Sequence, residues 1–333
     1  MGIVGFGKMG VLHAGIVNAL PECSVTAVCE KDALITNVAK KLLRRTRFYT
    51  DVSEMMDNES LNAVFVTTPI QTHVAIIEDL LKSRNVNGLF SEKPLAADGI
   101  GASRIADAAN RVVNIVGFQK RFSPVFQLGK RLLDGKALGD LQSVTCYSYS
   151  TDIFSKGVGW RFQKGSGGAL LDLGPHLLDI LLWYFGDPVR VLAIERSLYS
   201  AEVEDYVHAM VEFRSGLVST LDISWSKRGY RLPEIRIEVQ GTNGSMALSD
   251  DFVRIQVDEP VKGVAEEGAR IFQKPSFNTN VDFLLADPEF TNEDKYFLTA
   301  TMKNDKQAEP SFQSAARVNY FIDLMHSSAR KRE

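Results

Sequence analysis

A short apolar run, Met1-Gly2-Ile3-Val4, leads straight into Gly5-Phe6-Gly7-Lys8-Met9-Gly10, and this junction limits the fold more than any other stretch of the chain. Residues 11–20 follow with helical apolar spacing and stop at Pro21; residues 24–29 alternate like a strand and run into Glu30, 20 positions after the third glycine. A strand, a glycine-rich turn, a helix and a second strand with an acidic end together read as a dinucleotide-binding unit. The glycines permit a tight turn and close approach of backbone to pyrophosphate. The helix N-terminus faces phosphate charge, and the carboxylate accepts hydrogen bonds from a ribose. The expected cofactor contacts here are Gly5, Phe6, Gly7, Lys8, Met9 and Gly10, with Glu30 on the ribose. A carboxylate at that place repels a 2′-phosphate and favours NAD; Lys31, Arg44 and Arg45 keep NADP as the alternative.

The alternation continues, with helices expected over 32–43, 72–83 and 100–110 and strands over 48–49, 63–67, 88–91 and 114–118. Strands alternating with helices imply an α/β fold with a doubly wound parallel sheet, a Rossmann domain over residues 1–118, binding ligands beyond the carboxyl ends of its strands. Thr67-Thr68-Pro69, His73 and Glu92-Lys93-Pro94 all fall at that edge and are candidate cofactor contacts. Singly, each has a structural explanation: prolines ending strands, a solvated Glu–Lys pair, a histidine capping a helix. Three polar turns beside one dinucleotide loop point to a site.

From Gln119 the pattern changes, and residues 119–333 read as a second, α+β domain. Helices are expected up to residue 133 and over 311–330, and alternating runs over 141–149, 189–196, 206–213, 217–225, 235–239, 245–248 and 253–257 imply a largely antiparallel sheet. Arg214-Ser215-Gly216 reads as a hairpin turn, whereas 260–280 has no regular pattern. Between these runs, residues 166–186 carry glycines at both ends and are apolar on nearly every helical face, as a buried helix is. Asp172, His176 and Asp179 interrupt it at spacings of four and three, which align side chains along one helical face. Buried ionisable groups are costly unless paired, so these face each other, a partner or a polar pocket. A carboxylate–histidine pair pinning a core helix is the structural alternative.

At 333 residues the chain suits two domains, and 45% hydrophobic with 24% charged residues is the balance of a soluble globular protein. A net charge of −3 gives no basic footprint for nucleic acid. The longest apolar run, 177–185, contains Asp179 and is too short to span a bilayer, and no export leader is evident. Cys23, Cys29 and Cys146 have neither disulfide-framework nor zinc-site spacing and fit a reducing cytoplasm. The expectation is a cytoplasmic protein that acts on a small molecule, without a metal and with neither nucleic acid nor membrane as partner.

The segments GFGKMG, VTTPIQTH, SEKPLA, VGFQKRFSP, GWR at 159–161, GGALLDLGPHLLD and VEFRSGLVSTLDISW resemble the glucose–fructose oxidoreductase/inositol dehydrogenase (Gfo/Idh/MocA) family over nearly the whole chain. EKP and DxGxH, found together in this order, are the specific part. The resemblance implies that Lys93, Asp172 and His176 line one pocket where nicotinamide meets substrate, that Gln119 contacts the cofactor, and that the open face of the second sheet supports homodimers or homotetramers. Gln119 replaces a more usual asparagine, Lys120 a more usual arginine, and Pro175 sits inside DxGxH; the first two bear on cofactor and substrate preference. The implied activity is NAD(P)-dependent oxidation or reduction at a secondary hydroxyl or ketone of a sugar, cyclitol or nucleotide-sugar. His176 would take the hydroxyl proton, Asp172 would orient its ring, and Lys93 would stabilise negative charge on oxygen. Arg121, Trp160 and Arg161 are candidates for the substrate wall, a surface ion pair being the alternative for Arg161. If Pro175 marks a first helical turn, His176 feels the positive helix end; a helix starting near Gly168 would instead be bent there. Two other readings are a redox-assisted elimination that retains NAD, and a non-catalytic NAD(P)-binding sugar sensor.

Overall fold

The computed structural model describes residues 1–152, 160–165, 167–230, 232–277, 283 and 285–330. In chain order come β1 (Gly2–Val4), α1 (Lys8–Ala19), β2 (Ala27–Cys29), α2 (Ala33–Leu42), β3 (Arg47–Tyr49), α3 (Val52–Asn58), β4 (Ala63–Val66), α4 (His73–Lys82), β5 (Gly88–Ser91), α5 (Gly99–Ala108) and β6 (Val113–Val116). Next are α6 (Pro124–Asp134), β7 (Leu141–Tyr149), α7 (Ala169–Asp172), α8 (Gly174–Phe185), β8 (Pro188–Arg196), β9 (Tyr206–Phe213), β10 (Val218–Ser224) and β11 (Glu234–Gly241). The chain ends with β12 (Gly244–Ser249), β13 (Phe252–Val257), β14 (Gly268–Gln273), α9 (Pro288–Lys303) and α10 (Phe312–Arg330). It divides into two compact units, Met1–Gln119 with Val281–Asn319, and Lys120–Asn280 with Tyr320–Glu333.

The first unit is built on a six-stranded sheet of order β3-β2-β1-β4-β5-β6, every pair parallel. β1, β4, β5 and β6 are buried at every residue, as continuous apolar strands are when helices cover both sheet faces. The strand order reverses between β1 and β4, the switch point at which such sheets bind ligands. Most of this was expected from periodicity. α3 was not, and neither was α9, which packs on α1, β5 and β6. Phe297 of α9 meets Phe65 and Phe90 in the core, with ring centroids 5.1 and 5.6 Å away. The expected domain boundary left all of 119–333 in the second half, whereas Val281–Asn319 belongs to the first unit. The reason lies in the buried side of α9, which carries Glu289, Glu293 and Asp294 and therefore does not read as an apolar stripe.

The second unit carries an eight-stranded sheet of order β14-β13-β12-β11-β7-β10-β9-β8. Only β7 and β10 run parallel; the other neighbours are antiparallel. Strict alternation shows in β9, where Val207, Ala209, Val211 and Phe213 are buried and His208 and Met210 face outward. β14 lies inside the stretch 260–280 that showed no pattern in sequence. The buried stretch beyond Gly167 is two helices, not one: α7 stops at Asp172, Leu173 intervenes, and α8 begins with Pro175 in its first turn. Among the described residues no helix is long and apolar enough to cross a membrane.

Candidate active site

In the first unit, three glycines shape the loop after β1 in three different ways. Gly5 has φ +87°, a conformation L side chains rarely adopt. A Cβ on Gly10 would lie 2.2 Å from the Gly5 carbonyl oxygen, so only glycine lets α1 start this close to the strand. A Cβ on Gly7 would meet nothing within 4 Å, which leaves its outward side open for a ligand to approach the backbone. The helices α2, α3 and α5 are capped by the carboxylates of Asp32, Asp51 and Asp98, but α1 has Gly7 at its N-cap and no side-chain cap. Uncapped N–H groups, a positive helix end and an open glycine are the features a pyrophosphate requires, so this loop fits NAD. Lys8 is exposed beside it and Met9 half-buried, whereas the Phe6 ring packs edge-on against Phe48, leaving its backbone for the loop. Glu30 accepts from the Phe6 N–H at 2.6 Å and the Asp32 N–H at 2.8 Å, which places its carboxylate against the loop as the ribose role demands.

A clean separation follows for two variants. Gly10→Ala should lower Tm, because its methyl meets backbone, and overpacking of this kind costs about 1–3 kcal/mol. Gly7→Ala should leave Tm unchanged while weakening NAD binding roughly tenfold or more, about 1.4 kcal/mol. Thermal melts and fluorescence titration with NAD check both; equal NAD affinity in Gly7→Ala and wild type would remove the loop from the site.

The turns after β4 and β5 are tied to this loop. Thr67 Oγ1 donates to the Gly5 carbonyl at 2.6 Å, and the Thr72 hydroxyl bonds both Thr68 Oγ1 and the Pro69 carbonyl, each at 2.8 Å. His73 does not serve as a direct contact: it is 1% exposed, and its ring nitrogens face the Pro94 and Thr68 carbonyls at 3.1 and 2.8 Å. It is a strut between two edge turns, and burial lowers its basicity below that of an ordinary histidine, against the bonds to the two carbonyls. Glu92 and Lys93 are half-buried at the end of β5, and Gln119 is half-buried in a short turn of 3₁₀ helix. Glu92 Oε1 lies 3.1 Å from His13 Nε2, a histidine of α1 that sequence reasoning passed over.

In the second unit, every residue from 168 to 182 is buried except Asp172 and His176, which are partly buried, the Asp172 side chain being 12% exposed. His176 stands in the first turn of α8. Asp172 is gripped by Arg161: Nε donates to Oδ2 at 2.8 Å and Nη2 reaches the same oxygen. Arg161 Nη2 also donates to Asp152 at 2.9 Å, and the guanidinium lies over the buried Trp225 ring, 5.6 Å from its centroid. Arg161 therefore forms the ion pair that was the alternative to a substrate wall, joining Asp152, as exposed as itself, to the more buried Asp172 carboxylate. Arg121 is a larger correction. Its Nε and Nη2 donate to Asp179 at 2.9 and 2.6 Å, and the two side chains are 12% and 1% exposed, so this pair pins α8 instead of meeting substrate. Asp179 thus has a structural role, with Arg121 as the partner in place of the histidine that the structural alternative named. Lys120 is likewise committed, to Asp250. The Trp160 side chain, Gly159 and Ser166 lie outside the described residues.

Glu204 was missed as well. Its Oε1 accepts from the Leu170 N–H at 2.9 Å and its carbonyl from the Ala169 N–H at 3.0 Å, so it caps the short helix that presents Asp172. Gly168, φ +114°, is required there, since a Cβ would come within 2.2 Å of that carboxylate.

Residues 1–119 match an oxidoreductase family with an NAD-binding Rossmann fold, and residues 126–247 match the GFO/IDH/MocA C-terminal domain. The chain belongs to the Gfo/Idh/MocA oxidoreductase family. It is 29% identical over 262 residues to inositol 2-dehydrogenase of Rhizobium meliloti, covering 75% of each chain. It is 27% identical over 257 residues to D-apiose dehydrogenase of Paraburkholderia graminis, covering 75% of this chain and 67% of that one. A solved structure of levoglucosan dehydrogenase in complex with NADH matches at TM-score 0.86 and 22% identity, covering 100% of this chain and 97% of the other; this likeness carries the fold. As a member of the Gfo/Idh/MocA family, the protein is an NAD-binding oxidoreductase whose first unit is the nucleotide domain.

Proposed function

We propose that this Gfo/Idh/MocA oxidoreductase moves hydride between NAD and a secondary hydroxyl or ketone of a sugar, cyclitol or nucleotide-sugar, with His176 as the acid/base. The observation that carries the reading is that Asp172 and His176 alone keep partial solvent access in a stretch that is otherwise buried from 168 to 182. A pair kept only to pin the core would be sealed like Asp179, which is 0% exposed. The named substrates of the relatives, an inositol, D-apiose and levoglucosan, are polyhydroxylated carbohydrates or cyclitols and support the substrate class.

NAD, when bound, supplies the hydride acceptor. The remaining work falls to the chain. A hydroxyl proton leaves as its carbon gives up hydride, and a neutral His176 accepts it. Asp172, anchored by Arg161, offers a fixed negative charge to the imidazolium that forms. The Lys93 ammonium stabilises negative charge developing on the same oxygen. Lys93→Ala should lower kcat by roughly 10²–10³-fold while NAD affinity changes far less. Steady-state kinetics with NAD titration check this, and a defect confined to NAD binding would make the lysine structural.

The outward face of the eight-stranded sheet exposes Leu192 and Ile194 on β8 and Met210 on β9, with Leu192 opposite Met210. That apolar strip supports a homodimer or homotetramer through this face, and analytical ultracentrifugation tests it: a monomer at micromolar concentration contradicts it.

A further inference from the structure

Beneath the β5 turn of the first unit lies an ionic cluster that the proposed reaction does not use. His13 of α1 is 0% exposed, and its Nδ1 sits 2.8 and 2.9 Å from the two carboxylate oxygens of Asp294, also 0% exposed, on α9. Its Nε2 faces Glu92 Oε1 at 3.1 Å. Ionised carboxylates only accept, so a ring that bonds one on each nitrogen must carry a proton on both. With both carboxylates ionised the geometry describes an imidazolium held between them; burial raises the pKa of the Asp294 carboxyl, and the charge and bond of His13 oppose that rise. Burial alone would lower the basicity of His13, but the Asp294 charge and the bonds to Asp294 and Glu92 outweigh it and push its pKa up to about 10. The rings of Phe65 and Phe90, centroids 5.2 and 4.9 Å away, keep the cluster dry.

The cluster leads to the turn that bears Lys93. The other Glu92 oxygen, Oε2, accepts from the Lys93 N–H at 3.2 Å, and a Cβ on Gly117 would come equally close to that oxygen, so Gly117 leaves room for it. His13 stands three residues beyond Gly10, on the helix that the glycine loop starts. One buried cation thus joins the cofactor-loop helix, the end of β5 and α9, three elements far apart in sequence.

We propose that His13, gripped by Asp294 on one ring nitrogen and by Glu92 on the other, is a positioning residue that fixes the Glu92-Lys93-Pro94 turn for catalysis. This rests on the role given to Lys93 above. Buried ion clusters stabilise little compared with apolar packing, so a geometric role accounts for this one better than a stability role.

The test uses the full-length protein labelled with ¹⁵N. In wild type at pH 8 the His13 ring signals should report both nitrogens protonated, and a neutral tautomer would overturn the proposal. Asp294→Asn should shift the Lys93 backbone amide and lower kcat by roughly 10²-fold, as displacement of a reacting group by about an ångström does. KM for NAD should stay within about twofold of wild type, a split that general loosening of the fold would not give. An unmoved Lys93 amide with unchanged kcat overturns the proposal. Should Asp294→Asn not fold, His13→Gln provides the same comparison, and the wild-type ring signals stand without either. Failure of the Lys93 reading is separable: absence of turnover in wild type with every polyol tested removes the reaction, while the ring and amide signals still decide whether the clamp sets the turn.

Discussion

Replacing His176 by asparagine should lower the single-turnover rate of hydride transfer by roughly 10²–10⁴-fold, the range for loss of a general acid/base. Asparagine keeps the polarity and approximate size of the side chain at the start of α8, so the helix is retained. It cannot accept a proton at neutral pH, so the hydroxyl proton must leave to solvent, and the residual rate should climb with pH where the wild-type rate levels off. NAD affinity should barely change, because the glycine loop that fits the cofactor is untouched. Rapid mixing of enzyme, substrate and NAD, read by the absorbance of the reduced nicotinamide, gives the rate directly. A rate equal to wild type refutes the assignment of His176.

Asp179→Ala should have an effect of similar size on stability. The substitution leaves the Arg121 guanidinium at 12% exposure without the carboxylate it grips with two bonds. Breaking a buried pair from one side costs about 3–5 kcal/mol, whereas replacing both partners with apolar residues is often neutral. All three tryptophans lie in the second unit, so their fluorescence in urea follows that unit's unfolding. Trp183 is the nearest reporter, with Arg121 5.6 Å from its ring centroid. The expected result is a large fall in the unfolding midpoint for Asp179→Ala and recovery of most of it in Asp179→Leu with Arg121→Met. A double variant as unstable as the single one would mean that Asp179 acts through something other than Arg121.

Those two side chains also mark where sequence reasoning stops. The parallel sheet could be read from strand–helix alternation, because buried parallel strands are continuous apolar runs and turn residues separate them. The second sheet could be read because one face is buried, which forces a period of two. Pro175 announced that the DxGxH segment had to start or bend a helix there, and it starts one. Partnership over distance was not legible. Arg121 sits beside the cofactor domain in sequence, but its partner is 58 residues away, so a basic side chain near a motif was assigned to substrate. His13 and Asp294 are 281 residues apart, and the helix bearing Asp294 turns acidic residues inward, the reverse of the amphipathic signal. His73 looked like a site residue because its neighbours in sequence are; only its burial shows that it braces the site's turns.

The central claim is that this oxidoreductase reduces NAD at the expense of a secondary hydroxyl, using His176 to take the proton. It is tested most directly by incubating the protein with NAD, and with NADP in parallel, against a panel of polyols, aldoses and UDP-sugars while following reduced nicotinamide. The account predicts accumulation of NADH with at least one cyclic polyol or sugar, with NAD preferred, and its loss in His176→Asn. Product formation without net NADH, or no reduction with any member of the panel by protein that binds NAD, would contradict it.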